Sequence, residues 1–443
     1  MVASLALESA GVAGRYRTEL LHDGRRYFLA YAILAIEPFV LVPLLLGFMT
    51  LELIGALAAV EALVVVLAGI TQLGVKFAYL QHVADEGELR RGPGFWTATS
   101  LTAFAGLAAG TMVAPLLDVP WLSGILGLQP QIRPLTLGGV LLLANVQMML
   151  VTDLRARRNP LPFMFSSALR LGLMLLLVAW LGPGAAAPLD TVLLAQALAM
   201  LASSVLLWAI AQVPGLPIFK GDLARRFLAY GWPIAVGNFF KYGADALLPW
   251  LCLALVSPLA AGAMALALKA SAVFDTAFGQ PFLMAWGGRA YILAGEVDVG
   301  KVFARLFGWI VGISLLAAVL SWMVGVAVLY LADAEATLLA QSLPLLPLAV
   351  IGRMLFTLQF PASVGYLVRR DMRWNLWVAL TTASLFLCFG PWGFGFGGAL
   401  GGWLVFLAAQ ALALVYIYCR SVQLLGAQAA TGRESRIRPV KPG

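Results

Sequence analysis

Apolar positions in this chain come in long unbroken runs, not in the short alternating patterns of a half-buried strand. They fall at about 28–49, 51–75, 95–117, 134–152, 162–182 and 190–213. A second set falls at about 231–255, 259–285, 304–331, 338–366, 374–390 and 397–419. A helix of about 20 apolar residues crosses the hydrocarbon core of a bilayer. The pattern therefore predicts twelve membrane-spanning helices. A run as long as 304–331 can tilt or extend past the bilayer. Composition points the same way. Of 443 residues, 62% are hydrophobic and 11% charged, against roughly 25% charged in a typical soluble domain. The mean hydropathy is +0.92. Connections this short leave no room for a sizeable soluble domain, and so none for a nucleotide-driven motor in the same chain.

The charges set an orientation. Twenty-four of the 29 basic residues gather in alternate connections and the two ends. Among them are Arg25 and Arg26, Lys76 with Arg90 and Arg91, Arg155 with Arg157 and Arg158, Lys220 with Arg225 and Arg226, Arg289, Arg369 and Arg370. The opposite connections hold one, Arg133, and four lie inside runs: Arg170, Lys241, Lys269 and Arg353. The positive-inside rule assigns the basic side to the cytoplasm. The expectation is an inner-membrane protein with both termini cytoplasmic. The net charge of +8 then reflects topology, and no nucleic-acid partner is expected. The segment before residue 27 is too polar after its first few residues for the apolar core of a signal peptide.

The chain also looks duplicated. Arg25-Arg-Tyr-Phe-Leu-Ala-Tyr31 opens the first set of runs, and Arg225-Arg-Phe-Leu-Ala-Tyr230 opens the second. In each set two long runs follow, joined by a very short outer turn near Gly55 and Gly262. Six is an even number, so the two halves share one orientation. The expected fold is all-α: twelve transmembrane helices in two pseudo-symmetric six-helix bundles, V-shaped around a central cleft. The expected division is 1–213, 214–419 and a basic tail, 420–443.

Enzymatic signatures are scarce, and no enzyme is expected. The chain has no P-loop, no HExxH and no GxSxG. Gly393-Phe-Gly-Phe-Gly-Gly398 fits GxGxxG, but no strand precedes it and it sits between two spans. A tight turn with close backbone packing accounts for it. Cys252, Cys388 and Cys419 form no CxxC pair, and His22 and His82 have no ligand-spaced partners, so neither a zinc site nor another cofactor is expected.

The informative residues are the ions at membrane depth, where charge is costly and faces a cavity or a partner. In the seventh run, Asn238, Lys241, Tyr242 and Asp245 follow the i, i+3, i+4, i+7 spacing of one helix face. That stripe either lines an aqueous cleft or joins helices through a Lys241–Asp245 pair. Lys269 and Arg353 lie deep in the eighth and tenth runs, Arg170 less deep in the fifth, and Asp275 beside Lys269's face. The first half holds two midplane carboxyls, Glu37 and Glu61. Each either exchanges a proton between two access states or hydrogen-bonds a neighbouring helix. In the second run Gln72 and Lys76 fall on Glu61's face by the same spacing.

With those residues in view, the chain resembles the polysaccharide-biosynthesis, O-antigen-type flippases of the multidrug/oligosaccharidyl-lipid/polysaccharide superfamily. The likeness lies in Thr50-Leu-Glu-Leu-Ile-Gly55, Gln72-Leu-Gly-Val-Lys-Phe-Ala78 and Ala84-Asp-Glu-Gly-Glu-Leu-Arg-Arg91. It continues in Phe227-Leu-Ala-Tyr-Gly-Trp-Pro233 and in Gly262-Ala-Met-Ala-Leu-Ala-Leu-Lys269. Ala246 stands where the family has an Arg, and Met264 where it has a Tyr.

The resemblance implies alternating access between two bundles and a polyprenyl-diphosphate-linked oligosaccharide carried from the inner to the outer leaflet. Glycan polymerase and other polysaccharide-assembly proteins would be its partners, beside membrane lipids. Lys241, Lys269 and Arg353, with Asn238, Tyr242 and Arg170, are the expected substrate contacts. Glu37, Glu61, Asp245 and Asp275 are the expected sites of proton or sodium coupling. The alternative is a cation-coupled multidrug exporter of the same superfamily.

Overall fold

The computed structural model describes residues 36–86, 91–120, 131–157, 161–211, 217–283, 285–286, 299–331, 336–369 and 373–430, with a few isolated positions before 36. Arg15, Arg17, Arg25, Arg26, Arg90, Arg158, Arg289 and the basic residues beyond 430 lie outside the described residues.

Among the described residues the chain is helical and has no strand. The first half contains α1 (Glu37–Leu46), α2 (Leu51–Thr71), α3 (Val75–Glu86), α4 (Arg91–Leu117), α5 (Pro134–Ala156), α6 (Leu161–Leu181) and α7 (Pro188–Ala211). The second contains α8 (Gly221–Leu255), α9 (Pro258–Phe274), α10 (Val299–Leu331), α11 (Ala336–Ala362), α12 (Val364–Arg369) and α13 (Arg373–Ala430). A π turn, Asp275–Gly279, continues α9.

α13 holds two spans. Gly398 takes φ 56°, ψ −146° in its middle. Phe386 and Phe406, 20 residues apart, would be about 30 Å apart on a straight helix. Their rings instead lie 5.3 Å apart. The glycine-rich stretch is thus a hairpin, and Gly393 and Gly401 pack backbone to backbone where a Cβ on Gly401 would fall 2.2 Å from the Gly393 carbonyl. With that hairpin resolved, the predicted spans are all represented, although the second ends at Thr71 and not near residue 75. Leu73 (φ 51°) and Gly74 (φ 63°) break it. Gln72, the helical C-cap of α2, keeps Glu61's register, but Lys76 lies beyond the break and does not extend that face; it sits over the Phe77 ring at 5.2 Å.

The duplication is visible at matching positions. Thr50 caps α2 by accepting from the Leu53 amide, and Ser257 caps α9 by accepting from the Ala260 amide at 3.1 Å. Each satisfies an amide that the helix start leaves without an intrahelical partner. Five residues after each cap, Gly55 and Gly262 meet, a Cβ on Gly55 falling 3.4 Å from the Gly262 nitrogen. The two halves therefore cross on a small-residue contact, as membrane helices do where backbones must approach. Gly106 and Gly110 do the same inside the first bundle, against Leu141 and Gly138.

Large apolar side chains point outward: Phe104 is 74% exposed, Trp180 76% and Phe396 86%. In water such a surface would drive aggregation; here it is the lipid-facing surface that the apolar runs require.

The halves are joined most extensively by α2 and α8, which run antiparallel. Trp250 Nε1 donates to the Ala59 carbonyl at 3.2 Å. Farther along, Gly69 faces the Tyr242 ring, and Gly74 meets Gly231. A Cβ on Gly231 would lie 2.1 Å from the Leu73 carbonyl. Gly231→Ala is therefore expected to force α2 and α8 apart and cost about 1–3 kcal/mol, the range for overpacking. Thermal unfolding in detergent checks this, with Gly243→Ala, where nothing lies within 4 Å, as the comparison.

Candidate functional site

The charges at membrane depth fall into three groups. The first is on α8, α9 and α11. Asp245, from the α8 stripe, and Asp275, from the π turn, both face Arg353 of α11. Arg353 Nη1 lies 3.1 Å from Asp275 Oδ2 and 3.7 Å from Asp245 Oδ2. All three side chains are roughly a quarter exposed.

Two local features bring Asp275 there. Pro281 has no N–H to give the Ala277 carbonyl, and its ring crowds that turn. The helix just before it is wide, closed by the Gln280 amide on the Asp275 carbonyl. Gly279 then lets α9 approach α11, because a Cβ there would sit 3.1 Å from Asp275 Oδ1 and 3.2 Å from Thr357 Oγ1.

The second group is Lys241. Its ammonium lies 3.9 Å from the centre of the Phe356 ring, a cation–π contact. Asp245 is one turn away on the same face and acts on Lys241 electrostatically, yet its carboxylate is directed to Arg353. The Lys241–Asp245 pair anticipated as the alternative is not among the ion pairs of the described residues. Lys241 lines a small cavity with Gln359, Val378, Ala379, Thr382 and Gln410. These come from α8, α11 and both arms of α13, so the cavity is inside the second bundle. Gln359 Nε2 donates to Gln410 Oε1 at 2.5 Å across it. The Tyr242 ring lies 5.6 Å from the Phe356 ring in a tilted contact and packs against Gly69 of the first half. Asn238 is half-buried one turn before Lys241.

The third group joins the halves. Lys269 Nζ of α9 donates to Glu61 Oε2 of α2 at 2.5 Å. Deep cations outnumber carboxylates within the second half; Glu61 reaches across from the first to pair Lys269, Arg353 takes both Asp245 and Asp275, and Lys241 is left against a ring. The three cations that the sequence groups together thus occupy three environments: a shared guanidinium, a ring-covered ammonium and an inter-half pair.

In the first half Arg170 Nη1 donates to Gln147 Oε1 at 3.3 Å, and Gln147 Nε2 donates to Ser203 at 3.1 Å. Glu37 is Arg170's charged neighbour. A further cluster, outside the membrane-depth groups, has little signal in the sequence. Asp153, fully buried at the basic end of α5, accepts from Tyr79 at 2.5 Å and from Arg157 at 2.7 Å. Arg91 Nε lies 3.0 Å from Oδ1, the oxygen that also accepts from Tyr79, while Arg157 takes Oδ2. Burial first, then the Asp153 charge, pushes the Tyr79 phenol far above its ordinary value, so it stays a neutral donor. Asp153 ends an apolar run next to a basic stretch, and that was its one sequence signal.

No family model matches the chain, and no curated protein matches it. Solved structures do. The outward-facing conformation of a multidrug resistance MATE family transporter of the MOP superfamily matches with TM-score 0.68 at 13% identity, over 93% of this chain and 96% of that one. The inward-facing conformation matches with TM-score 0.65 at 13% identity, over 92% and 96%. A MOP superfamily transporter from Pyrococcus furiosus, described by a reversed polarity of its binding pocket that suggests a different function, matches with TM-score 0.67 at 12% identity, over 93% and 96%. At such identities the likeness is one of fold. The chain has the fold of MOP superfamily transporters: twelve spans in two six-helix bundles set in a V about a central cleft.

Proposed function

We propose that the chain is a membrane transporter that works by alternating access and moves a glycan linked to a polyprenyl diphosphate. The observation that carries this reading is Lys241. It is an ammonium at membrane depth, covered by an aromatic ring, in no ion pair among the described residues, and beside a small cavity whose lining mixes Gln359, Thr382 and Gln410 with Val378 and Ala379. A cation held at that depth without a carboxylate against it is expensive unless a ligand supplies the anion. A diphosphate head does so in a state of the transport cycle that opens this small cavity, while the prenyl tail remains in lipid. The fold supports the mechanism, since transporters of this fold are known in inward-facing and outward-facing conformations. It also tolerates a changed pocket, as the reversed polarity described for the Pyrococcus furiosus protein illustrates. Placement in a bacterial inner membrane with cytoplasmic termini, and work beside a glycan polymerase, belong to the same proposal.

A second reading, a cation-coupled multidrug exporter, is favoured by the two carboxylates that converge on Arg353. The readings separate in proteoliposomes. A polyprenyl-diphosphate-linked oligosaccharide should become accessible to an external glycosidase only with the protein present. Lys241→Gln should slow this about tenfold or more, the equivalent of losing a hydrogen bond to a charged group at about 1.5–3 kcal/mol. Export of a cationic dye that Asp245→Asn abolishes, with no movement of the glycan lipid, would select the second reading.

A further inference from the structure

We infer that Glu61 and Lys269 form a latch that holds the two bundles together across the half of the membrane opposite the basic connections. The inference rests on the transporter reading but not on the choice of cargo.

Its geometry is that of a closed seam. α2 and α9 occupy equivalent places in the two halves, each beginning with a side-chain cap, at Thr50 and Ser257. About 6 Å into each helix Gly55 and Gly262 touch. Glu61 and Lys269 lie ten and eleven residues into their helices, about 15 Å deep, at mid-bilayer. There they make the one ion pair between the halves among the described residues. Alongside, Trp250 of α8 bonds the Ala59 carbonyl of α2. From the helix starts to the membrane centre the seam thus carries a backbone contact, an indole hydrogen bond and a short charge pair.

The charge pair is the element that can discriminate between states. The glycine contact and the indole bond are neutral, so parting them leaves no lone charge. The pair is 16% and 28% exposed. Separating it at membrane depth leaves two lone charges that must each find a partner. In the opened cleft Lys269 is offered to an anionic group and Glu61 to a proton or a cation. The unloaded protein therefore stays latched, and a cargo with an anionic head, arriving with a coupling cation, replaces both halves of the pair at once.

Spin labels at exposed positions on the outer ends of the two bundles, Ala186→Cys and Tyr330→Cys, test this in full-length protein in liposomes. Cys252, Cys388 and Cys419 are first replaced by Ser or Ala. Without any substrate, the parent should show one population of short distances. Glu61→Gln and Lys269→Gln should each raise the ratio of a longer-distance population at least about tenfold, as the loss of one partner of a desolvated pair implies. The exchanged double variant Glu61→Lys/Lys269→Glu should restore the short population. If Glu61→Gln does not fold, Lys269→Gln and the exchanged pair decide the matter. Unchanged distributions in a folded, inserted single variant, or a longer population that the exchange does not reverse, overturn the latch. Because no cargo is present, failure of glycan transport leaves this result untouched, and the reverse holds as well.

Discussion

Asp153→Asn is expected to be among the most damaging single substitutions in the chain, costing on the order of 3–5 kcal/mol, the range for removing one partner of a buried ion pair. Asp153 is completely buried, and one carboxylate serves three groups: the Tyr79 hydroxyl, Arg157 Nη2 and Arg91 Nε. The asparagine keeps the shape but loses the charge. Its amide nitrogen also places donors against donors where two acceptor oxygens stood. Because α3, α4 and α5 all contribute to the cluster, the loss loosens the basic end of the first bundle, not one contact. The pair of exposed Arg133 with buried Asp190, which also accepts from the Arg133 amide at 2.9 Å, provides the contrast. Arg133 is 80% exposed and the charges are 3.7 Å apart, so Arg133→Gln should cost no more than about 1 kcal/mol. Thermal unfolding in detergent, followed by size-exclusion chromatography after heating, ranks the two. Equal midpoints would show that Asp153 does not hold the bundle together.

That contrast marks what the sequence could and could not show. The twelve spans were legible because a bilayer demands uninterrupted apolar length, a property of contiguous residues. The halves were legible because Arg25-Arg26 and Arg225-Arg226 precede runs of matching length. Partners were not legible, because periodicity assigns a residue to a helix face and says nothing of the helix opposite. Glu61 and Lys269 are 208 residues apart, and only the crossing at Gly55 and Gly262 brings them together. Arg91 belongs by sequence with the loop charges, yet it is buried against Asp153. The i, i+3, i+4, i+7 spacing puts the α8 stripe on one face, but it does not tell that Asp245 turns from its neighbour Lys241 to Arg353. The π turn had a faint local signal, a glycine two residues ahead of Pro281 inside a run. Its consequence, the reach of Asp275 to α11, depends on the neighbour. The glycine-rich stretch at 393–398 was legible as a turn, because its backbone demands are local.

Arg353→Gln should abolish transport and also destabilise the second bundle, and the two effects can be separated. Arg353 is the only cation within 4 Å of Asp245 and Asp275 among the described residues, and one nitrogen, Nη1, serves both. Removing the charge leaves two carboxylates near each other at membrane depth. Their repulsion is then uncompensated, and the site loses its fixed geometry. Lysine should not substitute fully, since it is a point charge on a flexible stem and lacks the planar fork. If the triad is a unit, the combination Arg353→Gln with Asp275→Asn should be less destabilised than the sum of the single losses, by about 0.5–3 kcal/mol of coupling. Unfolding midpoints of the four proteins give that coupling. Transport measured on the same samples gives the other half of the answer. A double variant that regains stability but still moves no substrate makes Arg353 part of the transport cycle. A double variant that regains both confines it to holding α8, α9 and α11 together, leaving Lys241 as the cation that meets the cargo.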